Sequence, residues 1–238
     1  MNVRKEIEFN EEDKIAVIAP HPDDECLGAS AALILAPQKT DIYVLTDGSR
    51  GAVERTPEEE VLVRRAQFEA EMEYVKPHSY TWLGGVDTKM SRHRDLVIKI
   101  DFRPYTIIFL PWLKSFHPDH RYASAFCLDE IRSQKAEAAC YFYEIKAPFY
   151  DPTHYVDITG ICEEKKKTYT LSRRSGSAGR TCAFIKRFQS GSDDEQTGNE
   201  VCGNLSEGGS GHGILGGSER HCYFHNKDVF VRVRLDEG

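Results

Sequence analysis

The sequence predicts a Rossmann-like α/β fold: a mostly parallel sheet with helices on both faces and its active site at the C-terminal ends of the strands. Three observations carry this reading. Short apolar runs alternate with helix-length segments, the early runs are too continuously apolar for a half-exposed strand, and proline or glycine-bearing loops close them. In such folds ligands collect beyond the carboxyl ends of the strands. The 238 residues suffice for one domain with a substantial core, or for one domain plus an appendage.

The first run, residues 14–19, is apolar and β-branched and is expected as a central parallel strand. Pro20-His21-Pro22 ends it, and Asp23 or Asp24 can cap a helix through residues 27–35. A second strand, 41–45, leads into the loop 46–51 and then a long acidic, amphipathic helix from Pro57 to Val75. Residues 105–110 make another buried strand, ended by Pro111, and a helix follows over roughly 119–134. Residues 140–145 and the edge-like 153–158 extend the sheet, and folded-domain patterning ends near Lys167.

Composition narrows the function classes. The net charge is −7 with scattered basic residues, so no nucleic-acid footprint appears, and Lys165-Lys166-Lys167 reads as a solvated helix face. No stretch is long and apolar enough for a membrane span, and the N-terminus leads into charge, which makes a cytoplasmic protein the expectation. Seven cysteines without a CxxC pair argue against a disulfide framework or zinc ribbon; Cys26, Cys127, Cys140 and Cys162 read as small buried hydrophobes.

The chain divides into a domain over residues 1–170 and an atypical Gly/Ser-rich tail over 171–238. Eleven of the eighteen glycines fall between Gly176 and Gly217, where little apolar periodicity could build a core. Read one nucleotide later, codons permitted for Gly198 through His221 can encode an apolar, aromatic-bearing segment, which motivates the reading that a frameshift replaced the tail. The apolar end, 229–235, can make an edge strand. His221, Cys222 and His225 imitate a metal site, but in this composition chance is the better source, and they receive no role.

Two clusters carry the chemistry: His21-Pro22-Asp23-Asp24-Glu25 and His117-Pro118-Asp119-His120, each placed after a buried strand. A catalytic zinc takes three protein ligands and leaves a position for water, and His21, Asp24 and His120 supply that set. Asp23 then stays free beside the water as general base. His117, three residues before His120, can stabilise charge or donate a proton, and Asp119 can hold a histidine tautomer. Acidic residues at a helix start and His-Pro in a turn have ordinary structural uses, so either cluster alone would be weak. Two such clusters at strand ends favour a site. A nucleotide binder is disfavoured because the turn after the first strand lacks phosphate-cradling glycines.

The motifs in residues 19–25 and 117–121 resemble those of the PIG-L/LmbE-type zinc N-deacetylases, a likeness that extends through residues 45–51, 63–69, 82–87 and 155–159. The resemblance implies zinc on His21, Asp24 and His120, Asp23 as base, His117 as transition-state stabiliser or acid, and Asp119 tuning a histidine. It further implies removal of acetyl groups from N-acetylglucosamine-type amino sugars, with Arg64 contacting substrate and Asp87 gripping sugar hydroxyls. Arg64 has a competing use in a helix salt bridge with Glu60, and Asp87 one as a turn carboxylate. Arg50 and Ser49 can line the same pocket. The expected partner is a small amino-sugar conjugate, with a homo-oligomer compatible; iron(II) can occupy a similar ligand set. A related amidase, or a non-catalytic sugar-binding protein on the same scaffold, are the rival readings. His78, His93 and His154 lack ligand-spaced partners and read as surface or packing residues.

Overall fold

A computed structural model describes residues 4–145, 149–172 and 227–232. The strands are β1 (Lys5–Glu6), β2 (Ile15–Ala19), β3 (Thr40–Thr46), β4 (Ser79–Gly85), β5 (Ile107–Pro111), β6 (Ala139–Tyr143), β7 (His154–Asp157) and β8 (Lys227–Arg232). The helices are α1 (Asp24–Gly28), α2 (Ser30–Leu35), α3 (Pro57–Val75), α4 (Arg94–Ile98), α5 (Pro118–Gln134) and α6 (Cys162–Ser172). The strands form a single sheet in the order β1-β7-β8-β6-β5-β2-β3-β4. Every pairing is parallel except the two made by β8, which runs antiparallel to both β6 and β7.

The period of two along each central strand sorts side chains to the two faces. Ile15, Val17 and Ala19 of β2 join Ile107 and Phe109 of β5 and Tyr141 and Tyr143 of β6 on the face covered by α2 and α3. Ala16 and Ile18 join Ile108, Leu110, Cys140 and Phe142 on the other, against Val97 of α4 and Ala123, Cys127 and Ile131 of α5. All five residues of β2 and of β5 are buried, as expected of parallel strands covered on both sides. The doubly covered, mostly parallel architecture agrees with the sequence expectation.

Several elements differ from it. The helix expected over 27–35 is broken at Ala29 (φ −126°, ψ 26°) into α1 and α2. The cause lies at Gly28, where a Cβ would stand 2.1 Å from Cδ2 of Tyr143, so α1 seats directly on that ring. The segment expected as edge-like is β7, which is flanked by β1 and β8; the two residues of β1 take the edge instead. The apolar end likewise forms an interior strand, β8, because β6 and β7 offer it a partner on each side. α6 continues beyond Lys167 to Ser172, and β4 and α4 were not anticipated.

Lys165 corrects the solvated-face reading: it is buried and pairs with Asp228 of β8, an ion pair that only the folded sheet supplies. Cys26, Cys127 and Cys140 are buried as expected, whereas Cys162 is partly exposed at the start of α6. The glycine-rich stretch 176–217, the alternative reading of 198–221, and His221, Cys222 and His225 lie outside the described residues. No described helix is long and apolar enough to cross a membrane.

Candidate active site

β2 and β5, neighbours in the sheet, end beside each other, and the loops leaving them carry the two histidine clusters. After β2 the chain turns sharply. Thr46 at the end of β3 donates both its N–H and its hydroxyl to the Pro20 carbonyl, at 3.0 and 2.7 Å, fixing the exit from β2. Gly48 (φ +65°) lies so close that a Cβ there would meet Pro22 Cδ at 2.9 Å. Asp23 follows with φ 114° and ψ −18°, a left-handed conformation costly for a residue with a Cβ, on the order of 1–3 kcal/mol. Such a backbone persists only when its surroundings hold it. Here the Asp23 N–H donates to both oxygens of Glu25 at 3.2 Å, and the Asp23 carbonyl accepts from Leu27 at 3.1 Å.

The strained turn sends the adjacent aspartates to different partners. Asp24 Oδ2 accepts from the His21 N–H at 2.9 Å and lies 3.1 Å from His21 Nδ1 and 3.2 Å from His120 Nε2. Asp23 instead meets Arg64, whose Nη1 donates to Asp23 Oδ2 at 2.9 Å. Arg64 Nε donates to Glu60 Oε1 at 2.9 Å, and Arg55 Nε to the other Glu60 oxygen at 2.6 Å. Of the two suggested uses of Arg64, the i−4 pair with Glu60 is present; Glu60 is buried, and the guanidinium it holds also reaches Asp23.

His117 is the N-cap of α5, its Nδ1 accepting from Asp119 N–H at 3.2 Å. The rings of His21, His117 and His120 stand 4.6 to 5.3 Å apart by centroid, and one ring nitrogen of each falls within 4.8 Å of the others. Ser115 braces this turn, its Oγ accepting from His117 N–H at 3.2 Å and standing 3.3 Å from His120 Nδ1. Asp119 Oδ2 lies 3.2 Å from His21 Nε2 and accepts from Thr88 N–H at 2.7 Å, while its Oδ1 accepts from Met90 N–H at 3.2 Å.

Asp87 turns inward: its Oδ1 is 3.2 Å from His21 Nε2, and its Oδ2 accepts the Arg50 N–H at 3.0 Å. Arg50 thus contributes a backbone group here, with its residue exposed, and Ser49 is buried beside Asp47. Asp47 ties the two loops together, accepting from Ser49 and Asp87 N–H groups at 3.0 and 3.1 Å. His78, His93 and His154 stand apart from the cluster, pairing with Asp41, with Val86 N–H and with the Tyr141 ring.

The electrostatics follow from carboxylates gathered around imidazoles. Burial opposes protonation of His21, but hydrogen bonds to Asp119, Asp24 and Asp87 outweigh it and raise its pKa well above the ordinary value. Burial likewise resists ionisation of Asp24, yet the two histidines hold its pKa well below the carboxylate norm. A group of imidazole nitrogens and carboxylate oxygens that stabilises added positive charge is also a fitting cradle for a cation. The donors suit zinc in type: His21, His117 and His120 offer one ring nitrogen each within 4.8 Å of one another, and Asp24 Oδ2 lies against His21 Nδ1 and His120 Nε2.

Sequence reasoning named Glu60 only as a salt-bridge partner of Arg64, and gave no role to Ser115, Asp47 or the buried pair Glu25 and Glu71. Glu25 stands inside the first motif, so its signal was present; Glu71 is one glutamate among many on α3, and only the fold distinguishes it.

Comparison with known proteins places this geometry. Residues 16–144, more than half of the chain, match the model of the PIG-L family, described as GlcNAc-PI de-N-acetylase. The chain belongs to this family. The PIG-L segment includes both histidine clusters and runs from within β2 through β6. A curated relative, diacetylchitobiose deacetylase of Thermococcus kodakarensis, is 27% identical over 186 residues, covering 66% of this chain and 68% of the relative. The fold is similar to that of N,N'-diacetylchitobiose deacetylase from Pyrococcus horikoshii, with TM-score 0.59 and 21% identity over 74% of this chain and 75% of that one. It is also similar to a deacetylase triple mutant of the teicoplanin biosynthetic pathway, with TM-score 0.57 and 16% identity over 74% and 90% of the respective chains.

Proposed function

We propose that this PIG-L family chain is a zinc-dependent N-deacetylase that removes the acetyl group from an N-acetylated amino sugar of the N-acetylglucosamine-conjugate type. The observation that carries the reading is that the strained turn gives the adjacent aspartates different partners: Asp24 lies against His21 and His120, while Asp23 pairs with Arg64. Similarity to relatives named as deacetylases of diacetylchitobiose and of the teicoplanin pathway supports the substrate class.

His21, Asp24 and His120 would hold the ion, with iron(II) an acceptable occupant of the same donors. Bound there, zinc supplies Lewis acidity, polarising the acyl carbonyl and acidifying water. Asp23 takes the proton from the attacking water and passes it to the amine nitrogen as the C–N bond breaks, giving acetate and the free amine. Arg64 orients the Asp23 carboxylate through its 2.9 Å contact and, with Arg50 and Asp87, provides polar anchors for the sugar. His117 stabilises the charge that develops on the acyl oxygen or protonates the leaving amine. Asp119 fixes the His21 ring through Nε2.

Metal content and acetate release from a panel of N-acetylated amino sugars test the scheme. Asp23→Ala should retain metal and lose turnover by roughly 10²- to 10⁴-fold, the usual span of a general base. His120→Ala should lose metal affinity. Equal metal content and equal rates in the parent and both variants would refute the mechanism.

A further inference from the structure

A second cluster of metal-ligating groups sits behind the candidate active site, between α1 and α3. Glu25, Cys26 and Glu71 are each fully buried, and one ligand atom of each lies within 4.8 Å of the others. Both carboxylate oxygens of Glu71 are enclosed without a hydrogen-bond partner. The groups acting on Glu71 are Glu25, Asp23 and Cys26, which are acidic or weakly polar, so nothing in that set neutralises it. An ionised carboxylate buried in such company costs several kcal/mol unless a proton or a cation neutralises it.

We propose that Glu25, Cys26 and Glu71 form a second, closed site for a divalent cation of the zinc class, distinct from the His21, Asp24 and His120 set. Two carboxylates and the Cys26 thiolate carry three negative charges against the two positive charges of a divalent ion, so one carboxyl keeps its proton when the ion binds. The Cys26 sulfur adds a soft donor that magnesium and calcium do not favour and zinc does. Glu25 keeps lone pairs for a metal while accepting from Asp23, since an ionised carboxylate offers about four acceptor sites. The Cys26 thiol, which donates to the Asp23 carbonyl at 3.2 Å, loses its proton to solvent as the ion enters and the sulfur binds. All three residues are buried, which suits a structural site rather than one that receives a substrate. It links α1 to α3 and, through Glu25, steadies the turn at Asp23.

Metal counting with variants on each site decides the matter. The full-length chain, loaded with zinc and freed of excess, should hold two equivalents; Glu71→Met and His120→Ala should each hold one. Cobalt loading should give a thiolate-to-cobalt charge-transfer band in the parent and in His120→Ala, absent from Cys26→Ser and Glu71→Met. Methionine matches glutamate in length and removes the buried charge; if that variant fails to fold, Cys26→Ser carries the test through the band alone. One equivalent in both parent and Glu71→Met, with no thiolate band, overturns the proposal and leaves Glu25 and Glu71 as a proton-sharing pair. One equivalent that Glu71→Met abolishes and His120→Ala keeps would uphold this site and overturn the catalytic ligand set instead.

Discussion

Asp119 serves three donors with two oxygens, one of them the His21 ring and two of them backbone N–H groups of the loop after β4. Replacing it by asparagine turns one acceptor into a donor that faces other donors. Asp119→Asn should therefore release the His21 ring and weaken zinc binding about 10- to 100-fold, measured by chelator competition; unchanged affinity would remove Asp119 from that role. Asp23 invites a second comparison. Its φ of 114° is a glycine conformation occupied by aspartate, so Asp23→Gly should be more stable than Asp23→Ala by about 1 kcal/mol in urea titration, while both lose turnover. Equal stabilities would mean that the turn relaxes once the carboxylate is gone. The residue types of this site were legible because each cluster follows a continuous apolar run. The φ of Asp23 and the inward turn of Asp87 onto His21 were not, since they depend on Gly48, Asp47 and Arg64 arriving from other elements.

The elements hold the site at fixed depth, and α1 is the least forgiving of them. Gly28→Ala drives a methyl group into the Tyr143 ring, whose hydroxyl already donates to the Ile18 carbonyl at 2.6 Å and which is locked between β2 and α1. The expected loss is about 1–3 kcal/mol of stability. Combining it with Tyr143→Leu should restore part of that loss, because the two changes share one contact; strict additivity of the pair would place the strain elsewhere. α3 shows the opposite case, an element readable from local chemistry. Thr56 and Glu59 form a reciprocal capping box, Pro57 follows at the first helical position, and Lys76 closes the helix with φ 55°. The break at Ala29 was not readable because its cause, Tyr143, is remote in sequence. β4 escaped notice because its first residues are exposed at the sheet's edge and it ends in two glycines, so neither the apolar run nor the alternation of a covered strand is present.

At the scale of the whole molecule, Asp228 ties β8 to the helical layer, accepting from Ser30 Oγ at 2.8 Å, from Ala31 N–H at 3.0 Å and from Lys165 Nζ. Residues 227–232 pair with both β6 and β7. The same region sets a pH dependence. Burial, with Asp228 adding repulsion, pushes the Glu144 carboxyl from 4.5 to about 7. At Glu144 the folded state then keeps a proton that the unfolded chain releases, so this residue's contribution to stability should fall as pH rises from about 4.5 to about 7 and level off above it. Allowing for partial exposure, the change is about 2 kcal/mol, and Glu144→Gln should flatten it. Removing Asp228 tests the tie directly. Asp228→Ala takes the carboxylate away from the buried Lys165 ammonium and from two donors of α2, a loss of about 3–5 kcal/mol by urea titration. Lys165→Met in the same chain removes the buried charge and should recover most of that loss. If Asp228→Ala alone stays within about 1 kcal/mol of the parent, the ammonium has found water, and β8 is held by its backbone ladder rather than by this buried pair.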